Sequence, residues 1–204
     1  MVHATVQEYW EKQVLKNNMS LAFIPKEYLS MHLCEEAVKL DPHAIRHIPQ
    51  KYFKDEYFCS KIILYAPELL ETIPQNFLTE KVCMSVVVAN SELLGKLPME
   101  KRTLNVCECA IEYETVLWDG EHGYSSVLRY VPETLRNQSL CMRAVRTWYE
   151  ALEFVPEHVL TDAMCITGLM QSPLAITYIP KRRRTDVMIS MAKIPECNTT
   201  YSLI

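Results

Sequence analysis

Residues 140–157 read LCMRAVRTWYEALEFVPE, and this stretch decides the fold. Leu140, Cys141, Ala144 and Val145 recur at helical spacing and make one apolar stripe. Ala151 and Leu152 then precede Val155-Pro156, and the residue before a proline avoids the α region, so a second, shorter helix ends there. The same two patterns repeat along the chain. The aliphatic–proline pair ends at Pro25, Pro49, Pro74, Pro98, Pro132, Pro156 and Pro180, with gaps of 24, 25, 24, 34, 24 and 24 residues. Self-similarity at such a period marks a repeat array.

Working outward, each proline is preceded by a small or aliphatic pair, as in AIRHIP (44–49), LLETIP (69–74) and AITYIP (175–180). Nine residues after it stands a cysteine in five units, Cys34, Cys83, Cys107, Cys141 and Cys165; in the 25-residue unit Cys59 stands ten after Pro49. The seventh unit has Ile189 there. The flanking apolar positions predict a first helix of about three turns around each cysteine. Asp41-Pro42, Ala66-Pro67 and Ser172-Pro173 place a proline at the start of the second helix, two of them after a good cap. Residues 5–17 fit one more first helix, with Trp10 in the cysteine's place. The expectation is an all-α, α-solenoid-like array of about seven two-helix units. It forms a single helical-repeat domain over 1–195, with an insertion at about 118–127 and a disordered tail at 196–204. Single units cannot bury their stripes, so neighbours must stabilise one another.

Composition narrows the function. The formal net charge is −4, and Lys/Arg and Asp/Glu are spread evenly over both halves, which gives nucleic-acid binding no basic face. No apolar run is long enough to span a membrane. The start, MVHATVQEYWEKQ, has neither the basic nor the apolar region of a secretory signal. Eight cysteines invite a disulfide or metal reading, but six share one apolar-flanked position, where free cysteine packs as a small hydrophobe. Equivalent helices about 10 Å apart lie beyond disulfide reach. Cys109 and Cys197 fall off the period. A reducing cytoplasm is the expected setting, the protein's own cell or a host cell after export.

The 34-residue fourth unit carries ten extra residues around Trp118-Asp-Gly-Glu-His-Gly-Tyr-Ser-Ser-Val127. An insertion in one repeat maps to a loop on one face, often the binding face. Trp118, Asp119, Glu121, His122 and Tyr124, with Arg129 and Tyr130 just beyond, are therefore the candidate partner contacts, against the plainer reading of an idle loop. Lys181, Arg182, Arg183 and Arg184 form the one basic run; it reads as a polar cap on the last unit or as a patch for an acidic partner. His43 and His47 stand four apart without a third ligand, and solvated helix histidines are the simpler reading. His122 with Cys107 or Cys109 could form a nucleophilic dyad only if the fold joined them. No catalytic residue, metal or cofactor is assigned.

The consensus (aliphatic-Pro-x-x-apolar, then Cys-x-x-Ala-Val, then small-Leu-x-x-Val-Pro) resembles an uncharacterised family of short tandem helical repeats, frequent in effector-like proteins of intracellular bacteria. Cys141-x-x-Ala144-Val145 with Ala151-Leu-x-x-Val155-Pro156-Glu157 carries the resemblance most closely, and Cys34-x-x-Ala37-Val38 with Ala44-Ile-x-x-Ile48-Pro49 follows. The resemblance implies a fold and no catalytic residues. The expected function is a non-enzymatic protein-interaction module, an effector or inhibitor of another protein. An enzyme with a Cys/His or Asp/His site around the insertion is the alternative, and a structural subunit of a larger assembly is the second.

Overall fold

The computed structural model describes residues 5–17, 20–114 and 126–193, and among them the chain is helical throughout with no strand. Eight α-helices follow in order: α1 Val6–Asn17, α2 Met31–Leu40, α3 Glu56–Tyr65, α4 Glu80–Ala89, α5 Leu104–Glu112, α6 Gln138–Thr147, α7 Asp162–Gln171 and α8 Asp186–Ala192. The periodic residue is the fourth of every helix from α2 to α8: Cys34, Cys59, Cys83, Cys107, Cys141, Cys165 and Ile189.

Each of these helices begins on a polar side chain one residue upstream. Ser30, Asp55, Thr79, Thr103, Asn137, Thr161 and Thr185 accept hydrogen bonds from the backbone N–H three residues on, as from Leu33 (3.1 Å), Phe58 (2.9 Å) and Leu140 (2.9 Å). Such caps satisfy donors that a helix start leaves open, each contributing about 1 kcal/mol.

The second helices differ from the expectation in kind. Pro42–His47, Pro67–Thr72, Ser91–Lys96, Tyr149–Phe154 and Pro173–Tyr178 are six-residue 3-10 helices. A segment of six residues held between a cap and an aliphatic–proline pair is too short to close successive α-turns, and the tighter three-residue turn fits it. Asp41 and Ser172 do cap their segments, accepting from His43 N–H and Leu174 N–H; Ala66 does not. Beyond most of the prolines the chain makes a further short 3-10 turn, as in Lys26–Tyr28 and Glu133–Leu135.

Residue contacts group the chain into two compact units, Met1–Val106 and Cys107–Ile204, the division falling within α5. In the first, α3 packs between α2 and α4, and the segments 42–47, 67–72 and 91–96 lie against one another in sequence order. Its core holds Leu33, Val38, Phe58, Ile62, Ile63, Val82, Val86 and Leu94, all sealed from solvent. In the second, α7 packs between α6 and α8, and segment 149–154 lies against 127–130 and 173–178. Leu128, Leu140, Val145, Leu152, Met164 and Met188 fill that core.

The six periodic cysteines are wholly buried, and with Cys109 they are free thiols. The Cys59 thiol donates to the Phe53 carbonyl at 3.1 Å. Burial pushes the Cys34 thiol up to about 12 and those of Cys59, Cys83 and Cys141 up to about 11.

Candidate partner-binding surface

Trp118, Asp119, Glu121, His122 and Tyr124 lie outside the described residues, as does Cys197. The ends that hold the insertion are described. α5 runs out into Glu114, and the chain re-enters at Ser126. The Glu114 carboxylate accepts a hydrogen bond from the Val127 N–H at 2.7 Å, and the Ser126 hydroxyl accepts one from Leu128 N–H at 3.3 Å. Glu114, Ser126, Val127 and Leu128 are all buried. The two ends are thus clasped by a hydrogen bond inside the second unit. Nothing in the spacing of the sequence singles out Glu114; its signal is a carboxylate at the end of an apolar helix, next to a predicted loop.

Directly after the clasp stand Arg129 and Tyr130. The Arg129 guanidinium lies over the Tyr130 ring, 4.4 Å from its centroid, and also donates to the phenol oxygen. The Arg129 backbone carbonyl accepts from Arg136. These two residues, which follow the insertion in sequence, thus form one stacked pair.

The basic run meets internal partners. Arg182 pairs with Glu157, Arg183 lies 3.6 Å from Asp162, and Arg184 Nε donates to the Ile179 carbonyl at 2.9 Å. Arg182 holds the Glu157 carboxyl below its ordinary range. Three of the four charges are thus engaged within the second unit, and Lys181 is the exposed remainder. Arg184 shares its role with two others. Arg102 Nε donates to the Leu97 carbonyl at 3.0 Å and Arg136 Nε to the Val131 carbonyl at 2.9 Å. Each such arginine closes the aliphatic–proline turn of its own unit, five residues back. At the equivalent position Leu29, Leu78 and Leu160 are buried instead.

His43 and His47 are both exposed on the 3-10 helix Pro42–His47. At three residues per turn, a spacing of four puts them a third of a turn apart, not on one side. Among the described residues no group of three or more His, Cys, Asp or Glu is placed to hold a metal ion. Cys107 is sealed in the core, and the Cys109 thiol is pushed up by burial and then by Glu112.

One group of side chains in the second unit was not anticipated. The Tyr149 and Tyr178 rings meet with centroids 6.2 Å apart and planes at 50°. Glu150 and Glu153 stand one 3-10 turn apart on segment 149–154, so they share an edge. Burial raises the Tyr178 phenol, and the charges of Glu150 and Glu153 raise it further. Burial also raises the Tyr149 phenol, with Glu150 as a hydrogen-bonding neighbour.

Compared with known protein families, characterised proteins and solved structures, the chain has no match. Among the described residues no helix is long and apolar enough to cross a membrane.

Proposed function

We propose that this protein is a non-enzymatic interaction module. Each of its two compact units is a run of two-helix blocks in solenoid fashion, and the insertion at 118–127 with the exposed residues of the 3-10 segments takes hold of another protein. The observation that carries this reading is the clasp of Glu114 on Val127. A buried carboxylate is costly unless it is hydrogen-bonded, and here it serves to hold the two ends of a ten-residue insertion that the 24-residue repeat does not need. The stacked Arg129–Tyr130 pair just after it supplies the residue types that anchor interfaces. Sealed, high-pKa thiols lend nothing to a nucleophilic alternative, because the thiolate is the reactive form. The resemblance in the repeat consensus favours an effector or inhibitor acting in a cytoplasm.

The test is removal of residues 119–126. The deletion is expected to keep its helical circular dichroism and to lose a saturable partner that the full chain retains in affinity purification. Equal recovery of that partner by the deletion would overturn the reading.

A further inference from the structure

We propose that Tyr149, Tyr178, Glu150 and Glu153 form a docking surface for an arginine-bearing segment of a partner protein. The proposal rests on the reading of this chain as an interaction module and names the chemistry of what it holds.

The argument begins with the segment itself. In the 3-10 helix Tyr149–Phe154, residues three apart are eclipsed. Ala151 and Leu152 face the core, which leaves Glu153 exposed and Glu150 half-buried on the opposite edge. Segment 173–178 lies alongside and brings Tyr178 against Tyr149 at 6.2 Å. Two half-buried phenol rings thus stand beside two carboxylates.

Charge complementarity then selects the occupant. Three acidic side chains of the second unit have basic partners: Glu157 has Arg182, Asp162 has Arg183 and Glu112 has Arg143. Among the described residues Glu150 and Glu153, like Glu108, Glu133 and Asp186, have none; what sets Glu150 and Glu153 apart is the ring pair beside them. The ring faces are also electron-rich, and a cation over an aromatic face is attracted to it. Among the described residues Lys39, Lys51, Lys61 and Arg129 each lie over a tyrosine ring, yet no cation lies over Tyr149 or Tyr178. A planar guanidinium is the group that can stack on a ring and donate to a carboxylate together.

The probe is a fluorescent Gly-Arg-Gly-Arg-Gly peptide, titrated into the full-length protein by anisotropy at low salt, with Gly-Glu-Gly-Glu-Gly as its control. The arginine peptide is expected to bind at least tenfold more tightly than the control. Its affinity should fall about tenfold in the double variant Glu150→Gln/Glu153→Gln and about threefold in Tyr178→Leu, with Tyr178→Phe close to the parent. Equal binding of both peptides, or an unchanged affinity in the double variant with native circular dichroism, would overturn the proposal. So would self-association of the parent that the double variant abolishes, which would make a second copy the occupant. Partner capture that survives in the double variant yet fails on deleting 119–126 sinks this surface alone; capture indifferent to both changes sinks the broader reading.

Discussion

Glu114 and Val127 are thirteen residues apart in sequence and 2.7 Å apart in space, carboxylate oxygen to backbone nitrogen. The bond makes the insertion's ends a fixed part of the second core. Glu114→Ala should leave the buried Val127 N–H without an acceptor and destabilise the protein by about 1–3 kcal/mol. Glu114→Gln keeps an acceptor oxygen there and should cost less than half as much. Urea unfolding followed by circular dichroism measures both, and equal losses would show that the bond contributes little.

Arg136 closes three carbonyls together, those of Val131, Phe154 and Arg129. Leucine fills the equivalent place in three other units, where apolar packing replaces the hydrogen bonds. Arg136→Leu is therefore expected to cost about 1 kcal/mol, and Arg136→Ala about 2–3, since alanine supplies neither donors nor volume. Lysine is a poor substitute, because it lacks the fork that reaches several acceptors. Thermal melts of the three variants should rank Leu above Lys above Ala.

The buried thiols make stability fall in alkali. Their folded values of about 11–12 lie above the ordinary value of about 9 that an exposed thiol takes. Below pH 9 both states hold the proton and the full stability is present. Between pH 9 and about 11 the unfolded chain loses protons that the folded chain keeps, so stability drops as pH rises. Melting in reductant from pH 7 to 10 should show a flat stretch and then a decline, and Cys59→Ala with Cys141→Ala should make that decline shallower. The same burial predicts that a disulfide reagent labels these thiols only at the rate of unfolding, with Cys109 the first among them to react.

How much of this was legible in the sequence depends on range. The position of each α-helix was, because Cys34, Cys59 and their equivalents repeat with a flanking stripe that only a helix can bury. The caps were equally visible: Ser30, Asp55, Thr79, Thr103, Asn137, Thr161 and Thr185 all stand four residues before the periodic position, and they pass unnoticed only when the apolar residues alone are followed. The 3-10 form of the second helices was not, since apolar spacing over six residues fits either helix. The pairing of Tyr149 with Tyr178 was hidden for a different reason. It joins residues 29 positions apart, off the repeat period, and depends on how segment 149–154 settles against 173–178.

Gly168 occupies the small-residue position of α7, where the other units carry Ala37, Ile62, Val86, Ala110, Ala144 and Ala192. A methyl group at Gly168 would lie 2.6 Å from Leu152 Cδ1 and 3.4 Å from Ala175 Cβ. Glycine is therefore the residue that lets α7 close on segment 149–154. Two effects oppose each other in Gly168→Ala: helix propensity favours alanine by about 1 kcal/mol, while overpacking a sealed core costs about 1–3. Leu152 is buried in the packed core, so overpacking is expected to win by about 1 kcal/mol. Shortening the neighbour removes the clash but not the propensity gain. Gly168→Ala should accordingly be destabilising in the parent and stabilising in a Leu152→Ala background, a change of sign that a double-mutant cycle in urea detects. Additive effects would mean that α7 and segment 149–154 can separate freely, contrary to the close packing found between them.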